Sequence, residues 1–451
     1  MNATLRISLI SGAIFIFLFA RCSVYPQSQS FSGGLPHNIS NVLCNLDSDQ
    51  KDLTIWPNCL SSGNSDPWIW QNHDHIRKMK PRVLILNFAN GMDMNRVGQY
   101  TKAMIKNLAI SSRYHGYSNP DAPEFLEYQV IKYVDMRDDS VTLLNIGRNS
   151  TLTPNLKDDA RKKGDNINCD YNIFYTTNFA ARYGFRDPSG NCPFLDLHGL
   201  INSGMIHELW FFRVHDDSGA PFESVEFKQY YDDECHPIPG KHGPAGNGHS
   251  KTMPWSGRSF RITFFNPDRG LGCGMENFCH ALEGMANYNS IPYFRKYFHN
   301  FAEFDMDVRY KLPGRSLYGM ITLDRKKGDM VEYPSQTTMR IYSKGNIYDL
   351  TDYVAVGGNV HFPPAARWHY DMDSPFAVIS TMENYRLGNL ADGKDKVEIF
   401  SKDKFKQYSK VCPDGMGPWL MYWRQNFPGL DNKCKADQGK AMKNWWPFLF
   451  Y

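Results

Sequence analysis

Four short, dense apolar runs constrain this chain more than any other feature. They are Arg82–Phe88, Tyr128–Val134, Met205–Phe212 and Arg258–Phe265, and each leaves into polar residues. A strand with one wet face alternates, so dense apolar runs describe strands covered on both faces, as parallel sheets are. Helix-period segments lie between them. Val97, Tyr100, Met104, Ile105 and Leu108 follow the first run, Pro193 to Ile201 precede the third, and about Gly274 to Tyr288 follow the fourth. Strands alternating with helices predict an α/β fold, a mainly parallel Rossmann-like sheet flanked by helices.

That α/β domain is expected over residues 81–314. Residues 31–80, rich in Ser, Asn, Asp and Pro, read as an irregular N-terminal segment. Residues 315–451 read as a smaller β-containing region packed on the domain, disulfide- and Trp-rich, with strands at Tyr318–Leu323, Thr338–Tyr342 and Tyr353–Val360. The stretch 214–256, full of Gly, Pro, His and Asp, shows no periodicity and reads as a long functional loop. The chain holds 10 Trp, 25 Tyr and 29 Phe, enough to fill a large core and leave rings for a cleft.

Residues 1–30 read as an export signal: Arg6, then the apolar run Ile7–Ala20, then small-x-small sites ending at Cys22 and Ser30. The run is shorter than the roughly 20 residues a spanning helix needs. The expected location is therefore secreted or extracytoplasmic, with an uncleaved signal anchor as the alternative. Export permits disulfides. Beyond Cys22 lie Cys44, Cys59, Cys169, Cys192, Cys235, Cys273, Cys279, Cys412 and Cys434, an odd number. Connectivity does not follow from the sequence, and Cys44–Cys59 and Cys412–Cys434, each closing a short loop near an end of the chain, are candidate pairs. Asn38 and Asn149 open glycosylation sequons, relevant only in a eukaryotic host. A net charge of +3 is too small for a nucleic-acid footprint. A mean hydropathy of −0.50 excludes a polytopic membrane protein, and no later run is long enough to span a bilayer.

In open α/β sheets ligands bind beyond the C-terminal strand ends. Polar residues there are Asn87, Asn90 and Asp93; Asp135 and Arg137; Arg213, His215, Asp216 and Asp217; and Asn266, Asp268 and Arg269. The helix after the fourth run is the sharpest local feature. Glu276, His280, Glu283 and Asn287 stand at i, i+4, i+7 and i+11 and share one helical face. Such a stripe suits a metal ion or a histidine set against a general base. With 14 His and 47 acids, one His-x-x-acid spacing arises about once or twice by chance, so the spacing alone carries little. A second cluster is Asn359-Val360-His361-Phe362-Pro363-Pro364, followed by His369, Tyr370, Asp371 and Asp373. The plainer alternative for both is a hydrogen-bonded packing histidine. There is no GxSxG elbow, Walker A loop, HExxH or GxGxxG.

Taken together, several segments resemble one family of exported, mostly bacterial proteins of uncharacterised activity. Ile206–Trp210 resembles its "VDELW" strand. Phe265–Glu283 resembles its "FNxxRGxGxxxExxxHxxE" signature, Gly358–Pro364 its "GNVHFPPN", and Asn444–Trp446 its terminal "NNWW". The likeness spans roughly 80–451. It implies motif positions at Glu223, Asn266, Arg269, Glu276, His280, Glu283, Asn359 and His361. It implies no activity. The chain departs from the pattern at Ala365, where the family has Asn, and in an insertion-like stretch around 315–350.

The residues support a hydrolase-like enzyme with its site at the C-terminal edge of the sheet. Glu276, His280, Glu283, Arg269 and Glu223 are the candidate catalytic residues, and Asn87, Asn266 and Asn359 the candidate ligand-binding ones. In a metal version His280, Glu283 and His361 hold a divalent ion such as zinc, Glu276 is the base, and Arg269 and Asn266 bind an anionic or carbonyl oxygen. In a metal-free version Glu223 and Glu276 perform acid–base work on a glycosidic bond. The alternative from another class is a non-catalytic module binding a glycan, peptide or small molecule, with no nucleic acid as partner.

Overall fold

A six-stranded mixed sheet organises the computed structural model, which describes residues 51–137, 171–213, 223–248, 253–313, 328–388 and 396–451. The export signal, Cys44, both sequons, His215, Asp216, Asp217 and the strand expected at Tyr318–Leu323 lie outside the described residues. In chain order the principal elements are β1 (Arg82–Asn87), α1 (Met94–Ser111), β2 (Gln129–Asp135), α2 (Thr177–Tyr183), α3 (Leu197–Asn202), β3 (Glu208–Phe212), β4 (Ser224–Tyr231), β5 (Pro237–Pro244) and β6 (Phe260–Phe265). The sheet order is β2-β1-β3-β6-β4-β5. The first four strands of that order run parallel, β4 adds antiparallel to β6, and β5 adds antiparallel to β4 at the edge. The fold is thus α/β, with a sheet that is parallel over four strands and antiparallel at one side.

Both faces of β1, β3 and β6 are covered, which explains their apolar runs, whereas the edge strand β2 keeps Ile131 and Tyr133 exposed. Val83, Ile85, Trp210 and Phe212 pack into one core with Val97, Met104 and Leu108 of α1. Leu84, Leu86, Leu209 and Phe211 pack into a second core with Phe179, Tyr183, Leu197 and Leu200 of α2 and α3. Asp93 starts α1 by accepting the Arg96 backbone N–H at 2.8 Å.

Beyond β6 the chain forms α4 (Gly270–Asn287), α5 (Pro292–Phe301), an antiparallel meander of β7 (Met330–Ser335), β8 (Thr338–Ser343) and β9 (Asn346–Leu350), and α6 (Gly417–Arg424). Residues from α4, α5, the meander, α6 and the segment 445–451 belong to the same core as α1. Trp445 and Trp446 are fully buried and serve that core. Among the described residues no helix is long and apolar enough to cross a membrane.

Several expectations are corrected. The stretch 214–256 is not one loop, because β4 and β5 occupy its centre. Tyr353–Val360 is not a strand. Val356 N–H goes to the Glu303 carboxylate at 3.1 Å and Gly357 N–H to the Phe301 carbonyl at 2.8 Å, so these donors leave no ladder. The C-terminal region is Trp-rich but not stapled there by the candidate disulfide. Cys412 and Cys434 are buried free thiols, Cys412 lying under Gly417 and Cys434 beside the Tyr114 hydroxyl at 3.4 Å. Cys59 is also a free thiol, whereas Cys192 is disulfide-bonded.

The strands hide a charged network. Glu208, Arg261 and Glu226 are register neighbours on β3, β6 and β4. Arg261 donates to Glu226 at 3.0 Å and to Glu208 at 3.2 Å. Lys228 donates to Glu226 at 3.2 Å and to the Leu449 carbonyl at 3.1 Å, and Tyr128 and Trp210 donate to Glu208. All four charged side chains are buried. Glu226→Ala strips Arg261 and Lys228 of their shared carboxylate. Urea unfolding is expected to show a loss of about 3–5 kcal/mol, the usual cost of breaking a buried ion pair on one side. A loss within that of a surface substitution would show that the network contributes nothing of the kind.

Candidate functional site

The site is built on α4, whose start is fixed from both sides. Asn266 accepts the Asp268 backbone N–H at 3.0 Å and closes a one-turn 3-10 segment over Pro267–Arg269. Gly270 then takes φ +74°. The Asp414 carboxylate caps the helix, accepting Leu271 N–H at 3.1 Å and Gly272 N–H. A negative group there also suits the helix dipole. A Cβ on Gly272 would lie 1.9 Å from the Asp414 carbonyl oxygen, so glycine is what lets the cap approach.

From Gly272 to Ala286 every residue of α4 is buried, including the stripe Glu276, His280 and Glu283. Buried charges need partners, and the turn 358–362 supplies them. Gly358 takes φ +62°, Asn359 and Phe362 exchange two backbone hydrogen bonds of 3.1 Å, and the Asn359 side chain accepts His361 N–H at 3.2 Å. The indole N–H groups of Trp423 and Trp419 on α6 hold the Gly358 and Asn359 carbonyls, each at 3.1 Å. The turn is thereby clamped with His361 facing α4.

His361 Nε2 lies 2.8 Å from Glu276 Oε1 and 3.0 Å from His280 Nε2. The Tyr370 hydroxyl is 3.0 Å from the same nitrogen and donates to Glu276 Oε1 at 2.8 Å. Glu283 lies on the other side of His280, with Oε2 2.7 Å from Nδ1, and its Oε1 accepts Val360 N–H at 3.2 Å. Glu223 Oε2 is 3.8 Å from His280 Nε2 and accepts from Asn247. Arg269, 43% exposed in its side chain, stands 3.8 Å from Glu276 Oε2.

Glu276, His280 and His361 thus offer one ligand atom each, all within 4.8 Å of one another. The grouping fits a shared cation better than a hydrogen-bond network. A ring nitrogen serves one in-plane partner, yet three polar atoms crowd His361 Nε2 within 3.0 Å. Bonding of His280 Nδ1–H to Glu283 fixes the tautomer that aims the Nε2 lone pair inward, the usual carboxylate–histidine support of a metal ligand. Glu283 meets the outer ring nitrogen of His280, and it is Glu276, not Glu283, whose carboxylate converges with His280 Nε2 and His361 Nε2.

By themselves, the carboxylates of the cluster instead favour a proton on His280, which a metal ion would have to displace. Burial works against a charge on His280, but the Glu276, Glu283 and Glu223 carboxylates outweigh it and push the imidazole up to about 10. Burial likewise opposes ionisation of Glu276, yet hydrogen bonds from His280, His361 and Tyr370 hold it well below the usual carboxylate range. His369 is pushed down to about 4 by burial and by the neighbouring His361 and His280.

Of the residues singled out in the sequence, the structure brings together Glu276, His280, Glu283, His361, Glu223 and Arg269. Asn87, Asn266 and Asn359 spend their side chains on local turns, Asn87 on Ala89 N–H at 3.0 Å and the Met92 carbonyl at 2.7 Å. Asn287 sits at the exposed end of α4. Sequence reasoning assigned no role to Tyr370, Asn247, Asp414, Trp419 or Trp423. Tyr370 and Asn247 lay in segments already flagged, Asn247 in the stretch 214–256. No protein-family model matches the chain, and no curated protein matches it.

The raised His280 value has a linkage consequence. A raised imidazole stabilises the folded state fully below the unfolded value of about 6.5, and that contribution drains as pH climbs through the folded value. In chelator-treated protein, the stability difference between wild type and His280→Gln should be largest near pH 6 and shrink towards pH 10. Parallel denaturation series at several pH values check this, and a pH-independent difference would contradict it.

Proposed function

We propose that this is an exported metal-dependent hydrolase in which Glu276, His280 and His361 hold one divalent cation, zinc being the chemical best match. The observation that carries the reading is the convergence of those three ligand atoms within 4.8 Å. Two imidazoles and one carboxylate are a donor set that catalytic zinc sites use, leaving room for water or substrate. A bound ion would supply polarisation of a substrate carbonyl and activation of water.

The chain's own residues complete the chemistry. Glu223 stands outside the ligand trio, partly exposed, with Oε2 held by Asn247. That places a carboxylate at the rim to accept a proton from the attacking water at Oε2 and return it to the leaving group. Arg269, half-exposed beside Glu276, donates to an anionic or carbonyl oxygen of the substrate. Glu283 holds His280 in one tautomer, and the Trp419 and Trp423 indoles keep His361 in place.

Export rests on the pattern of residues 1–30 and on the resemblance to exported proteins over roughly 80–451. The Rossmann-like assignment rests on the four parallel strands of order β2-β1-β3-β6.

Elemental analysis of protein purified without chelator tests the proposal. We expect close to one transition-metal ion per chain, with His361→Gln and His280→Ala losing it while keeping their circular dichroism. Wild type should then hydrolyse simple ester or peptide substrates, and Glu223→Gln should bind metal normally but turn over about 10²–10⁴-fold more slowly. Folded wild type that takes up no divalent ion at any concentration tried would overturn the reading.

A further inference from the structure

The cation site has a fourth arm that the sequence motifs leave out. Tyr370 is 48% exposed, yet its hydroxyl reaches inward to Glu276 Oε1 and His361 Nε2, two of the three ligand atoms. Its ring lies against the His361 imidazole, with centroids 4.6 Å apart.

The local backbone is shaped for that reach. Tyr370 takes φ +60°, a left-handed conformation that a bulky residue adopts at a cost of roughly 1–2 kcal/mol. Its N–H is tied to the His361 carbonyl at 2.9 Å. The base of the turn is closed by Arg367, whose backbone N–H and guanidinium both donate to Asp371, at 3.0 and 2.7 Å. A strained residue held by bonds on both sides, with its polar tip in a buried cluster, marks a position shaped for a function. A tyrosine needed only to cover the cluster would not require its oxygen at the point where the ligand atoms converge.

We propose that the Tyr370 phenol is the fourth protein ligand of the cation held by Glu276, His280 and His361, which rests on the metal reading above. On binding, an oxygen–metal bond forms as the phenolic O–H breaks, the ion also displaces the Nε2 proton of His280, and both protons pass to solvent, so the tyrosine joins as phenolate beside neutral imidazoles. The site then holds two anionic oxygens and two neutral imidazoles. That donor set balances a divalent ion and favours borderline metals over calcium or magnesium. Entry of a substrate oxygen requires the phenolate to make way or the coordination to expand.

The test uses the full chain loaded with copper(II) alone, because a phenolate bound to copper gives a visible charge-transfer band that imidazole and carboxylate do not. We expect this band at one equivalent in wild type and its absence in Tyr370→Phe. That substitution keeps the ring on a half-exposed turn and should leave the thermal transition of the metal-free protein in place. Zinc affinity, read by competition with a chromophoric chelator, should fall in Tyr370→Phe by at least the roughly 10–100-fold that loss of a supporting partner costs. Stoichiometric copper binding with no band, and equal zinc affinity in the variant, would overturn the role of Tyr370 and leave the three-residue site standing. Failure of wild type to bind either ion would instead remove the metal reading, and this inference with it.

Discussion

Burying α4 on all sides is the constraint on which the rest of the structure depends. A helix surrounded by protein is normally apolar all round, but this one carries Glu276, His280 and Glu283 into the interior. Each unpartnered charge would cost several kcal/mol. The fold answers with a turn rather than another regular element. His361 and Val360 N–H meet the stripe from the front, and Glu223 comes in from the start of β4. The devices around it follow from that need: Gly357 fits against Phe301 where any Cβ would clash, Gly358 turns the chain, and two indoles pin it. Glu283 is the joint of the arrangement, since one oxygen fixes His280 and the other fixes the turn that carries His361.

Strands β1, β3 and β6 were legible because burial on both faces leaves little polar residue in them, and the half-open edge strand β2 by its β-branched and aromatic content. Strands β4 and β5 were not. Glu226 and Lys228 look like solvent-facing charges in the sequence, yet they are buried and neutralise each other and Arg261 across strands. Pairing of that kind depends on sheet order, which no local pattern encodes. Strand β5, Pro-Ile-Pro-Gly-Lys-His-Gly-Pro, reads as a loop because proline and glycine dominate it. It survives as a strand by lying at the sheet edge, where a missing N–H is tolerated.

The site was legible to the level of helical spacing and no further. Positions i, i+4 and i+7 place Glu276, His280 and Glu283 on one face, but spacing does not say which carboxylate meets which imidazole nitrogen. That division is made by a turn some eighty residues later. The three asparagines illustrate the converse ambiguity. A polar residue just past a strand is as useful for closing the turn as for binding a ligand, and Asn87 and Asn266 do the former. Tyr370, Trp419 and Trp423 were recoverable only from long-range contacts, since aromatic residues are abundant in this chain and most of them are core.

The segment 444–451 gives the molecule a particular schedule. Lys228 finds its carbonyl partner 221 positions later, at Leu449, and His73 finds its own 371 positions later, at Asn444. At ribosomal rates of about 5–20 residues per second, the ammonium group waits roughly ten to forty seconds for a partner that has yet to be made. The buried charges of the sheet thus receive their last hydrogen-bond partner from a segment made more than two hundred residues after them.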